Sequence, residues 1–138
     1  MADQVRKMSY CYLTLPNRAG QGDQVLAELE RGGVDLLAFS AFPDEAGTAQ
    51  MDLVAESLAP LRRIAVKNGW RVSKPKKGFL VQGADKLGAV HRHVHRLAKE
   101  RINITAADAI AAGKGRYGMI LWVKQKDFAR AAKALRAR

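Results

Sequence analysis

Shifted by 68 positions, the sequence falls on itself. Asn17-Arg18-Ala19-Gly20 lies on Asp85-Lys86-Leu87-Gly88, and Gly33-Val34-Asp35-Leu36 lies on Arg101-Ile102-Asn103-Ile104. The register continues without a gap, setting Leu29 on Leu97, Ala38 on Ala106, Ala41 on Ala109, Gly47 on Gly115, Met51 on Met119 and Leu53 on Leu121. Few residues are identical. What agrees is the order of patterns at one offset, and that marks an internal repeat.

Each copy has readable periods. Tyr10 to Leu15 alternates, with Cys11, Leu13 and Leu15 on one face, and Phe79 and Val81 repeat that apolar face, so each copy opens with a strand. Val25, Leu26 and Leu29, and in the second copy Val90, Val94, Leu97 and Ala98, have the spacing of a helix with one apolar stripe. A second strand follows near Val34 to Ala41 and Ile102 to Ala109. Turns at 43–47 and 113–115 lead to a third strand, Gln50 to Ala55 and Tyr117 to Lys124. A further helix covers about Leu58 to Asn68 and Lys126 to Arg136, and Trp70-Arg71-Val72 supplies a fourth strand to the first copy alone.

The order is βαββαβ, then βαββα. Two helices per four strands pack on one face of a single antiparallel sheet, so the fold expected is α+β, two tandem ferredoxin-like units at residues 9–74 and 78–138. The second unit lacks a clear fourth strand. Its first strand is an open edge unless another segment or another chain pairs with it. The linker Ser73-Lys74-Pro75-Lys76-Lys77-Gly78 is short and basic, which keeps the copies close.

Composition narrows the class. The 138 residues are 48% apolar and 27% charged, as in a globular protein. No apolar run nears the ~20 residues of a membrane span, and residues 1–7 lack a signal peptide's apolar stretch, so a cytoplasmic protein without membrane partners is expected. Residues 75–138 hold fifteen lysines and arginines against four acidic residues, whereas residues 9–74 hold seven against eight. The whole formal excess of +11 therefore lies in the second half, which fits an acidic or nucleic-acid partner. Cys11, the one cysteine, falls in a strand pattern and reads as a small core residue.

A strand, then Asn/Asp-x-x-Gly, then an amphipathic helix and a strand opening Val/Ile-Asp/Asn-Leu/Ile resembles the ACT domain, a regulatory module that binds amino acids. The resemblance covers nearly the whole chain as two copies. It implies a non-catalytic, cofactor-free regulatory protein, paired edge to edge as a homodimer, with an amino acid bound between copies. The implied ligand-binding residues are Asn17, Arg18, Ala19 and Gly20 with Asp85, Lys86, Leu87 and Gly88 in the turns. Asp35 and Leu36 with Asn103 and Ile104, at the start of strand two, close the pocket of the paired copy. A turn entering a helix offers free N–H groups and the positive dipole end to a carboxylate, and an Asx side chain can take the ammonium. The second turn matches the family better, since Leu87 precedes its glycine whereas Ala19 holds that place in the first, and Asn17 replaces the commoner Asp. Asn17 and Asp85 would also serve as helix N-caps with no ligand involved.

Other signals are weaker. Gly20-Gln21-Gly22 lacks the third glycine of a dinucleotide loop, and no phosphate-loop motif occurs. His91 and His95 stand one helical turn apart and could share a metal, but no cysteine or clear carboxylate accompanies them, and His93 points elsewhere; no metal site is expected. Nucleic-acid binding is the alternative function. Tyr10 and Tyr12 and the stretch Lys114 to Trp122 partly echo RNA-recognition modules, but Met119 stands where an aromatic should stack. Arg92, Arg96 and Lys99, and Lys126, Arg130 and Lys133, instead make a helix-side basic surface. No nucleophile, base and orienting partner assemble into a catalytic motif.

Overall fold

The computed structural model describes residues 2–138. In chain order the elements are β1 (Gln4–Pro16), α1 (Gln21–Arg31), β2 (Leu36–Pro43), β3 (Thr48–Ala55), α2 (Ala59–Lys67), β4 (Arg71–Val72), β5 (Lys76–Ala84), α3 (Ala89–Lys99), β6 (Ile104–Gly113), β7 (Arg116–Val123), a 3-10 turn (Gln125–Asp127) and α4 (Phe128–Leu135). They form two compact units: residues 9–76, called repeat one, and residues 77–138 together with 2–8, called repeat two. The fold is α+β, with antiparallel strand pairing in both units.

In repeat one β3 lies between β2 and β1, and the short β4 pairs with β1 through Leu13↔Val72 and Thr14↔Arg71. In repeat two β7 lies between β6 and β5. The fourth-strand place beside β5 is not left open. Residues 4–8 of β1 fill it, so a segment from before the first copy completes the second. A Cβ built on Gly78 would stand 2.9 Å from the Met8 Cε, and one on Gly83 would collide with the Asp3 carboxylate, which shows how closely this strand lies against β5. Lys7 N–H donates to the Arg138 carbonyl and Arg138 N–H to Val5, both at 3.0 Å, so the chain's last residue also docks on this strand.

The duplication extends to individual hydrogen bonds. Asn17 N–H to Gly47, Gln21 to Arg18, Gln24 to Gly20, Gly33 to Glu30 and Val34 to Leu29 recur 68 residues later as Asp85 to Gly115, Ala89 to Lys86, Arg92 to Gly88, Arg101 to Ala98 and Ile102 to Leu97. After the second helix the offset becomes 67, since Gly69 to Val66 and Trp70 to Ala65 recur as Arg136 to Lys133 and Ala137 to Ala132. One residue has been lost between β7 and the end of α4, within a register that is otherwise continuous.

Each repeat has its own core. Cys11, Leu13, Val25, Leu29, Met51, Leu53 and Leu61 form one; Phe79, Val81, Leu97, Met119, Leu121, Ala131 and Leu135 form the other. Phe79 stacks on Phe128 with ring centroids 4.7 Å apart. The stripe of α3 differs from the one expected. Ala89, His93 and Leu97 are buried, while Val90 is exposed and Val94 only half-buried, so His93 faces inward between two core positions. The cause lies in the register: Leu97 is four residues after His93 and eight after Ala89, and that row, not the one through Val90 and Val94, meets the sheet. Among the described residues no helix is long and apolar enough to cross a membrane.

Candidate functional site

In repeat two, Asp85 N–H donates to the Gly115 carbonyl at 2.8 Å and Ala89 N–H to Lys86 at 3.0 Å, closing the turn between β5 and α3. These bonds leave the N–H groups of Lys86, Leu87 and Gly88 outside the turn's own pairing. They precede the first turn of α3, where unpaired N–H groups and the helix dipole favour an anion. Gly88 is left-handed at φ 80, and in repeat one Gly20 occupies the same place at φ 91; other residues adopt this conformation at a cost of about 1 kcal/mol. The turn opens onto a trough of about 560 Å³. Asp85 to Gly88 form one wall with Ala89, Val90 and His91, while Ala109, Ile110 and Ala111 of β6 form the other, with Tyr117 between.

Repeat one closes its turn from Asn17 to Gly20 with the same two bonds, Asn17 to Gly47 at 3.0 Å and Gln21 to Arg18 at 3.2 Å, but its Arg18 N–H also donates to the Pro16 carbonyl at 2.9 Å. A cavity of about 260 Å³ lies at the start of α1, lined by Leu13 to Pro16, Gln21, Gln24, Val25 and Gly69 to Arg71; Asn17 to Gly20 do not line it. The capping alternative fails in both repeats. The N-cap residues are Gly20 and Gly88, neither helix has a side-chain cap bond, and Asn17 and Asp85 stand three residues too early.

The residues expected to close the pocket sit elsewhere within each repeat. Pro16, at the turn, pairs with Thr48, whereas Leu36 pairs with Ala55, seven residues along β3. Ala84 pairs with Arg116 and Ile104 with Val123, again seven residues along β7. At 3.2–3.4 Å per residue this separates Asp35 and Leu36 from Asn17 to Gly20, and Asn103 and Ile104 from Asp85 to Gly88, by roughly 23 Å. No single repeat brings both halves together.

A cluster that the sequence reading missed adjoins the trough. The Asp3 carboxylate, 5% exposed, accepts through one oxygen, Oδ2, from Tyr117 Oη at 2.5 Å, His93 Nε2 at 2.7 Å and Arg92 Nη2 at 3.1 Å. Burial pushes the carboxyl up, but the bonds from Tyr117, His93 and Arg92 outweigh it and hold it below the usual value. Burial first, then the bond to Asp3, pushes the Tyr117 hydroxyl strongly up. His93 Nδ1 is buried without a hydrogen-bond partner. The 68-residue offset carried the signal: His93 falls on Val25, a buried position, Tyr117 on Ala49 and Gly83 on Leu15. Repeat two thus exchanges three apolar positions for two polar groups and a gap that admits Asp3.

Apart from Arg92, the remaining candidates lie outside this cluster. His91 and His95 hold their rings 5.6 Å apart, yet no group of three potential ligands able to hold a metal occurs among the described residues. Cys11 is fully buried and its thiol is pushed up to about 11 by that burial, which disfavours the reactive thiolate. The face an RNA module would use for stacking is closed, since Leu80, Ile120 and Trp122 are 5%, 7% and 5% exposed. Arg92, Lys99, Lys126, Arg130 and Lys133 are exposed on the helices or just before α4, although Arg92 is tied to Asp3 and Arg130 to Asp127 and the Glu100 carbonyl.

No family model matches the chain, and no curated protein does. Solved structures do. A protein from Bacteroides thetaiotaomicron superposes with a TM-score of 0.80 at 15% identity, over 97% of this chain and 88% of that one. The ligand-free regulatory subunit of aspartate kinase from Thermus thermophilus gives 0.61 at 14% identity, over 98% and 93%. A putative C-terminal regulatory domain of aspartate kinase from Porphyromonas gingivalis W83 gives 0.59 at 12%, over 97% and 93%. At these identities the likeness is one of fold, and the chain shares the ACT-type fold of the aspartate kinase regulatory subunits along nearly its whole length.

Proposed function

We propose that the chain is a non-catalytic regulatory protein that binds an amino acid between paired ACT-type copies. The observation that carries this reading is the turn at Asp85 to Gly88, whose residues line a trough walled on its other side by β6 and whose Lys86, Leu87 and Gly88 N–H groups lie outside the turn's own pairing. The ligand carboxylate meets the N–H groups of Lys86, Leu87 and Gly88, and the Asp85 side chain takes the ammonium. Asn103 and Ile104, roughly 23 Å away along β7, close the pocket of a paired copy rather than their own. Asn17, Arg18, Ala19 and Gly20 with Asp35 and Leu36 form the equivalent, weaker site of repeat one. β6 is suited to the pairing, because it is an edge strand whose residues are exposed after Ile104. Binding acts by linkage: a ligand that touches two copies favours the paired state by its differential affinity.

Calorimetry of the intact chain against each of the twenty amino acids tests the reading. At least one is expected to bind at sub-millimolar affinity and to shift the chain toward a dimer in sedimentation. Absence of any binder sinks it. A net +11 confined to repeat two favours a second reading, phosphate binding on the helix side. That reading requires retention on heparin that falls steeply with salt.

A further inference from the structure

We infer that the trough of repeat two selects amino acids with an apolar, branched aliphatic side chain. This rests on the head-group site proposed above and adds what the rest of the ligand must be. The polar groups of the trough, Asp85, Lys86 and His91, all belong to the turn and the first turn of α3, where the head group lies. The opposite wall is Ala109, Ile110 and Ala111, with no charge and no side-chain hydrogen-bonding group. Strand alternation puts Asp108 on the other face of β6 from Ala109 and Ala111: Asp108 pairs with Ile120, whereas Ala109 and Ala111 pair with the core residues Met119 and Tyr117.

Exposure points the same way. Leu87 is fully exposed and Val90 39% exposed, and both line the trough, whereas the Ile110 side chain alternates to the face of Asp108 and the β6 wall is built from Ala109, Ala111 and the backbone between them. Clustered exposed apolar groups mark a surface that something apolar covers. Tyr117 also lines the trough, but its hydroxyl is committed to Asp3 at 2.5 Å and is not left to pair with a polar ligand side chain. Asp3, held by Arg92, His93 and Tyr117, is therefore a positioning residue for specificity. A charged ligand side chain laid on the β6 wall would lose water and gain no partner. An aliphatic one would lose only apolar exposure, and the small side chains at 109 and 111 leave room for its branch.

Calorimetry with L-leucine, L-isoleucine and L-valine against L-lysine, L-aspartate and L-threonine tests this on the intact chain. The aliphatic set is expected to bind at least tenfold more tightly. Ala109→Asp, at an exposed position, should weaken leucine binding at least tenfold without moving the melting temperature by more than a few degrees. Lysine, aspartate or threonine binding as tightly as leucine overturns the inference and leaves the head-group reading standing. Leucine affinity unchanged in Ala109→Asp also overturns it. No binding by any amino acid removes the head-group reading itself, and this inference with it.

Discussion

Repeats one and two share turn geometry down to single hydrogen bonds, yet they complete their sheets differently. Repeat one ends its βαββα run with β4, a strand from its own sequence. Repeat two takes residues 4–8, from before repeat one begins. That borrowed strand brings a carboxylate into a place where repeat one has only Leu15, Val25 and Ala49 nearby. The difference teaches that duplication preserves the backbone turn while the side chains behind it diverge to suit a new neighbour. Each polar change in repeat two, His93 for Val25 and Tyr117 for Ala49, supplies a donor to Asp3, and Gly83 for Leu15 supplies the space.

Restoring repeat one's residues in repeat two should break this arrangement, most severely at the gap. Gly83→Leu places a side chain where the Asp3 carboxylate sits, expelling the charge and leaving His93 and Tyr117 unpaired. A loss of about 3–5 kcal/mol is expected in urea unfolding, the range for breaking a buried ionic network. Leu15→Gly in repeat one removes packing at a half-buried position and should cost less than that.

Asp3→Asn is milder, since the amide keeps the shape and loses the charge; about 1–3 kcal/mol is expected. The pH dependence gives it a signature. The folded Asp3 carboxyl titrates below the ordinary 3.8 of an aspartate, so its contribution is fully present above that pH and is lost as pH falls through the folded value. Tyr117 titrates the opposite way: its hydroxyl is raised above 10.0, so its contribution holds below that pH and is lost as pH rises through the folded value. Unfolding curves of the native chain and Asp3→Asn should begin to approach one another as pH falls below 3.8 and meet only once it is under the folded value of Asp3. Curves that stay parallel to the lowest pH at which the chain folds would show that the charge of Asp3 does not matter.

Much of this was legible in the sequence. The duplicated Asx-x-x-Gly, the alternation of Cys11, Leu13 and Leu15 and the glycines ending helices or turns at Gly69, Gly47 and Gly115 record local preferences, and local preferences survive in a linear reading. The open edge of the second copy was legible as a question. Its answer was not, because residues 4–8 carry no signal beyond a short alternation and lie against a segment seventy or more positions away. His93 went unread because Val90 and Val94 make an equally good apolar stripe, and only tertiary packing selects the row through Ala89 and Leu97. The 68-residue offset sets His93 on Val25, a residue of the apolar stripe of α1, and so marks it as a core position. The separation of Asn103 from Asp85 required the register of β6 on β7, which no local pattern contains.

The two repeats differ most in function at their turns, that of repeat two being the stronger proposed ligand site. Backbone amide shifts of the isotope-labelled chain titrated with L-leucine test it directly. Saturable shifts are expected at Lys86, Leu87 and Gly88 and at Ala109 to Ala111, with much smaller ones at Arg18 to Gly20. Shifts confined to Arg18 to Gly20, or none at either turn, would contradict it.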